Sequence, residues 1–172
     1  DAVNGTCGNL TIAGKLAFEN GAPAVYLCQV STGSTVVPSE YTTALNKFKN
    51  LQNVGKVLAV FPSGSTTQAN INTVHSALQA HCSEMSAANI KKERECIIGD
   101  APSTFATGGH DVIGDESTNP SYIYKVDAYS DKRVMYVAPT TFTRDDASGT
   151  EMILDANYLG CAVAGTILSK AK

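Results

Sequence analysis

Four stretches of the chain are almost continuously apolar: PAVYLCQV (residues 23 to 30), GKVLAVFP (55 to 62), RECIIGD (94 to 100) and RVMYVAP (133 to 139). A strand with one wet face alternates apolar and polar positions, so unbroken apolar runs of this length predict strands covered on both faces, as in a parallel sheet. Around them the apolar positions recur with a helical period. These segments are LTIAGKLAFENG, closed by Asn20-Gly21; PSEYTTALNKFKNLQ, opened by Pro38; TTQANINTVHSALQAHCSEM; PSYIYKVDAYS, opened by Pro120; and the closing DANYLGCAVAGTILSKAK. The order α-β-α-β-α-β-α-β-α predicts right-handed crossovers and an α/β fold, a three-layer α/β/α sandwich with a mostly parallel sheet of about four strands. Residues 101 to 119, rich in Gly, Ser, Thr and Asp, read as an exposed loop. With no internal repeat and no linker, residues 1–172 form one domain.

The closing helix is unusual in its small residues. Leu159, Val163 and Ile167 form an apolar stripe, while Gly160/Ala164 and Cys161/Gly165 keep the adjoining faces thin. Two glycines cost the helix roughly 1 kcal/mol each in propensity, so close packing must return that energy. The apolar face of the sheet is the expected seat.

Composition narrows the classes. Charged residues are 17% of the chain, the net charge is −3, and no basic excess is present to attract a phosphate backbone, which argues against nucleic acid and anionic membrane as partners. The longest apolar runs fall far short of the roughly 20 residues that span a bilayer, and the first residues do not form a signal peptide; a soluble, untargeted chain is expected. Cys7, Cys28, Cys82, Cys96 and Cys161 are odd in number, without a C-x-x-C pair, and read as the reduced thiols of a cytosolic protein. The sequence starts at Asp1 rather than a methionine, which suggests a processed product or a fragment.

In an open parallel sheet ligands bind beyond the carboxyl ends of the strands, here FPSGSTT, GDAPST and APTTFTRDD. Ser63 or Ser65 with Asp100 and His110 compose a triad on paper, but the G-x-S-x-G elbow is absent. Pro62, Ser63 and Gly64 read better as a turn, with Ser65, Thr66 or Thr67 capping the next helix. Gly55-Lys56 opens a strand where a phosphate loop would open a helix, and Gly5, Gly8 and Gly14 precede the first strand where a dinucleotide fingerprint would follow it. His75 and His81, six residues apart, fall on opposite helix faces and read as surface or boundary residues; His81 and Cys82 point apart. Asp111, Asp115 and Glu116 lack calcium-loop spacing and read as solvated acids. The clusters KKERE (91 to 95) and TRDDASG (143 to 149) read as solvated surface, the second as a turn, with cross-subunit ion pairs as the alternative use. No catalytic, cofactor-binding or metal residue is assigned.

Four segments, in order, resemble contractile bacteriophage tail sheath proteins. GKLAFENGAPAVYLCQVS is similar to that family's helix ending in Asn-Gly and aromatic-containing strand. SALQAHCSEM with KKERECIIGDAP is similar to its helix, basic segment and strand; VDAYSDKRVMYVAPTTF to its helix and strand ending in Ala-Pro; and LDANYLGCAVAGTI to the tyrosine leading into A-x-x-A-G. The likeness covers about residues 10 to 168. Gly160 and Cys161 stand where the family more often has alanines, and the chain stops shortly after AVAG, where sheath proteins continue into a further domain. The resemblance implies the peripheral α/β part of a longer structural subunit, neither an enzyme nor in need of a cofactor. Its implied partners are other sheath subunits in a helical array, the tail tube protein and the baseplate. Its implied place is the virion, after synthesis in the host cytoplasm, and its implied output is contraction that drives the tube through the host envelope. The isolated chain, lacking the linking arms, is expected to be monomeric. The other reading is a small flavodoxin-like enzyme or binding domain with a site along Ser63, Asp100, His110 and Thr140, which would show a concave polar pocket at the carboxyl edge of the sheet.

Overall fold

A computed structural model describes residues 8–30, 35–61, 67–99, 129, 131–137, 141–145 and 149–170. The elements are α1 (Asn9–Glu19), α2 (Pro38–Phe48), β1 (Lys56–Val57), α3 (Gln68–Met85), β2 (Glu95–Ile98), β3 (Val134–Tyr136), β4 (Thr141–Asp145), β5 (Glu151–Asp155) and α4 (Ala156–Lys170). The fold is α/β. Among the described residues β1, β2 and β3 form a parallel sheet in that order, with Val57 opposite Cys96 and Ile97 opposite Met135.

Local chemistry sets the helix ends. At the close of α1, Gly21 takes a positive φ of 95° and its N–H reaches Phe18 O at 2.9 Å, while Ala22 N–H reaches Ala17 O at 3.0 Å. This left-handed turn satisfies two carbonyls the helix would otherwise leave open, and glycine adopts it at no steric cost. Pro38 starts α2, where its missing N–H is not needed. Thr67 caps α3, its Oγ1 accepting from Asn70 N–H at 3.3 Å. Asp155 does the same for α4, its Oδ1 accepting from Asn157 N–H at 2.9 Å.

The apolar runs are explained by which cluster each residue joins. Val57, Ala59 and Phe61, with Cys96 and Ile98, pack with Tyr41 and Leu45 of α2 and with Ile71, Val74, Leu78 and Cys82 of α3. The residues between them turn the other way. Leu58 and Val60 pack with Ala13 and Leu16 of α1 and with Tyr158 and Cys161 of α4, and Ile97 and Val137 pack with Ala156 and Ala164. Successive strand side chains point to opposite faces, so a strand with helices on both faces needs apolar residues throughout.

Two expectations about strands are corrected, and the close packing expected of the last helix is met, against α1 as well as the sheet. Residues 23 to 30 are described but form no strand; Tyr26 and Leu27 are 53% and 51% exposed. Residues 141 to 155, read partly as a solvated turn, contain an antiparallel pair in which Thr143 faces Ile153 and Asp145 faces Glu151. Their register pairs residues 6 to 14 apart, which a local apolar period does not reveal. In α4 the buried residues beyond the first turn are the small ones, Gly160, Cys161, Ala164 and Gly165, while Leu159, Val163 and Ile167 are only partly covered. A β-carbon on Gly160 would stand 3.0 Å from Ile97 Cγ2 of β2, and one on Gly165 only 2.3 Å from Ala17 O of α1. Backbone approach, rather than large-residue burial, fixes this helix. The predicted loop 101 to 119 and most of the helix predicted over 120 to 130 lie outside the described residues.

Candidate functional site

The residues weighed for catalysis, Ser63, Ser65, Asp100, His110 and Thr140, lie outside the described residues, as do Gly5 and the loop acids Asp111, Asp115 and Glu116. Gly8 and Gly14 lie at the start and within α1, and Gly55-Lys56 leads into β1, so none of them forms a phosphate-binding turn between a strand and a helix. Among the described residues no group of three or more His, Cys, Asp or Glu side chains is placed to hold a metal ion. No helix there is long and apolar enough to cross a membrane.

The two histidines of α3 occupy different environments, and both are buried, which corrects the expectation of surface positions. His75 packs its ring on Phe61 and edge-on to Tyr129, with centroids 5.8 and 5.7 Å away. His81 meets Arg94, and here the structure departs furthest from the sequence reading. Arg94, taken as part of a solvated charge cluster, is 1% exposed. Its Nη2 donates to Phe48 O and Leu51 O, both at 2.9 Å, and its Nη1 lies 2.6 Å from His81 Nε2. Its backbone is pinned as well, N–H donating to Ser86 Oγ at 2.9 Å. Lys92 Nζ adds a bond to Lys49 O at 2.8 Å.

The carbonyl end of α2 therefore faces two cations, which its dipole and its open carbonyls favour. A guanidinium only donates, so His81 Nε2 accepts and the ring carries its proton on Nδ1. A periodic signal for this existed. Arg94 has the same strand parity as Cys96 and Ile98, whose side chains face α2 and α3, so a β-extended Arg94 must point inward too. Three other charges of the clusters form ion pairs within the chain: Glu95 with Lys56, Glu93 with Arg133 at 3.6 Å, and Arg144 with Glu19 of α1 at 2.6 Å.

The buried thiols are shifted in opposite directions, Cys96 being lowered by the hydrogen bond with Cys82. The hydrogen bond to Cys96 and burial push Cys82 up, and burial pushes Cys161 up to about 12. Cys28, Cys82, Cys96 and Cys161 are free thiols.

Two groups give the fold opposed responses to acid. Burial, then the Arg94 charge, lowers His81 from 6.5 to about 4. The unfolded chain takes up that proton first, so its contribution is present above pH 6.5 and lost as pH falls toward 4. Burial raises Asp155 from 3.8 to about 6 against the bonds from Asn157. Its contribution is the reverse, present below pH 3.8 and lost as pH rises through 6. Each amounts to about 3 kcal/mol at its limit, so in the native chain they nearly cancel between pH 6.5 and 4. Asp155→Asn should lose on the order of 2 to 3 kcal/mol more than the parent over that interval, and His81→Gln should gain by a similar amount. Urea midpoints at pH 7 and 4.5 check this; parallel pH profiles for all three proteins would reject it.

A cavity of about 830 Å³ runs along the outer edge of β1 between that strand and residues 22 to 30, and most of its lining is apolar.

Over 164 residues, 93% of its length, the chain is 29% identical to the tail sheath protein of Mycobacterium phage Bxz1. The chain is similar to a phage tail sheath protein. The resemblance carried by the four sequence segments is to this kind of protein. The chain spans about a quarter of that sheath protein's length, 24%. No protein-family model matches the chain, and no solved structure does.

Proposed function

We propose that this chain is the α/β portion of a structural subunit of a phage tail sheath, and that it has no enzymatic role. The observation that carries the reading is the 29% identity sustained over 93% of the chain. The packing suits the role. Buried small residues bring α4 against β2 and α1 at backbone distance, and a close-packed interior transmits strain rather than absorbing it. In the same reading the fold is a three-layer α/β/α sandwich of one domain, and it acts as a rigid body within a longer protein. Copies stack around a tail tube on a baseplate in the virion, and contraction is a change between two sets of subunit contacts. The energy lies in those contacts, so no cofactor enters.

Assembly is the test. In the longer protein the linking contacts belong to parts beyond this chain, and the chain alone offers mixed charges and ion pairs closed within itself. A specific oligomer needs about 1,200 Å² or more of buried surface. The 172-residue chain should scatter light as a monomer across a micromolar concentration series, whereas the full-length protein should form rings or tubes visible by electron microscopy. A full-length protein that stays monomeric with purified tail tube present would overturn the sheath reading.

A further inference from the structure

We infer that the outer edge of β1 is a strand-acceptor site and that its occupant is residues 23 to 30 of the same chain, docked as a further parallel strand. This rests on the fold and not on the sheath reading.

The ladder shows which groups are free. Glu95 N–H donates to Gly55 O at 3.0 Å, so Gly55 and, two residues on, Val57 turn their backbone groups toward β2. In a strand the intervening residues turn theirs the opposite way. Lys56, Leu58 and Val60 therefore present N–H and C=O to the outer edge, where β1 has no neighbouring strand among the described residues. One of these groups is already met from outside the sheet: Tyr41 of α2 donates its hydroxyl to Val60 O at 3.1 Å.

The adjacent segment is a strand in every respect but the ladder. It is mostly apolar, it forms no ladder among the described residues, and it lines the 830 Å³ cavity on the side opposite β1. Its alternation is already correct. A β-carbon on Gly14 would stand 3.4 Å from Leu27 Cδ1, so Leu27 lies against α1, the side that Leu58 and Val60 face. Val30, of opposite parity, packs on the cluster of α2 and α3, the side that Val57 and Phe61 face. Connectivity agrees. α2 lies between residues 23 to 30 and β1 in sequence, and it sits on the same face as α3, which joins β1 to β2. Two successive right-handed crossovers between adjacent parallel strands place both helices on one face. Pro23 at the start of an edge strand needs no ladder donor. Docking would close the cavity and cover Tyr26 and Leu27.

Hydrogen exchange of the 172-residue chain, followed by NMR, tests this. The expected result is that the Leu58 and Val60 amides exchange about 100-fold slower than in an unstructured peptide, independent of protein concentration. Tyr26→Pro and Leu27→Pro then separate by parity. The proline whose amide faces β1 should abolish that protection, and its neighbour, facing solvent, should not. Protected Cys96 to Ile98 amides in both variants show that the rest of the sheet has stayed folded. Unprotected Leu58 and Val60 amides in the parent would overturn the inference. So would protection that grows with concentration, since the occupant would then be a second copy, or protection that neither proline disturbs.

Discussion

Gly165→Leu should cost the fold about 3 kcal/mol or more, and Gly165→Ala about 2 kcal/mol, even though alanine gains about 1 kcal/mol of helix propensity. The reason is which atom stands opposite. A β-carbon there would come within 2.3 Å of Ala17 O, a backbone oxygen that cannot swing aside as a side-chain end can. That same oxygen accepts the Ala22 N–H in the turn that ends α1, so retreat of α1 would strain its own terminus. Thr166→Leu, one residue on and exposed, should lie within about 0.5 kcal/mol of the parent and controls for helix content. Urea denaturation at pH 7 measures all three. A Gly165→Leu midpoint equal to the parent's would show that α1 and α4 are not seated as described.

Arg94→Met should be of similar size, about 3 kcal/mol or more. It preserves much of the side-chain volume but leaves Phe48 O, Leu51 O and His81 Nε2 without their donor, and each buried unpaired group costs about 1 to 3 kcal/mol, less whatever the end of α2 recovers by fraying into water. Arg94→Lys should rescue little. An ammonium on a single stem cannot reproduce a planar fork directed at two carbonyls and an imidazole. Denaturation of both variants beside the parent decides the matter, and an Arg94→Met variant within 1 kcal/mol of the parent would mean the guanidinium is dispensable.

What the sequence made legible was local. Asn20-Gly21, Pro38 and Thr67 mark helix ends because a turn, a missing N–H and a cap are each decided within a few residues. The runs at 55 to 62, 94 to 100 and 133 to 139 contain the three strands of the parallel sheet because two-sided burial leaves an unbroken apolar signature. What failed was decided between segments. Residues 23 to 30 carry the strand signature, yet a strand is defined by its partner, and the sequence does not state a ladder. EMILD does not read as a strand because its pairing, Thr143 opposite Ile153, is set by the facing strand rather than by its own period. Arg94 was misread because its charge outweighed its parity. In α4 the thin faces are legible from Gly160, Ala164 and Gly165, but that Gly165 lies at Ala17 depends on a helix almost 150 positions earlier. As for a site, the segments with the most suggestive polar residues are outside the described part of the chain, so the sequence reading of them stands as an expectation.

The seam between α1 and α4 has a direction. Gly165 lies at Ala17 and Gly21 lies at Ser169, so a step of four along one helix is matched by a step of four along the other, in the same sense. Two helices running side by side in parallel have the beginning of one and the end of the other at opposite poles. Tension entering the chain at residue 8 and leaving at residue 170 would therefore pull the two helices past each other lengthwise, engaging every close contact of the seam together, instead of opening them one contact at a time like a zip.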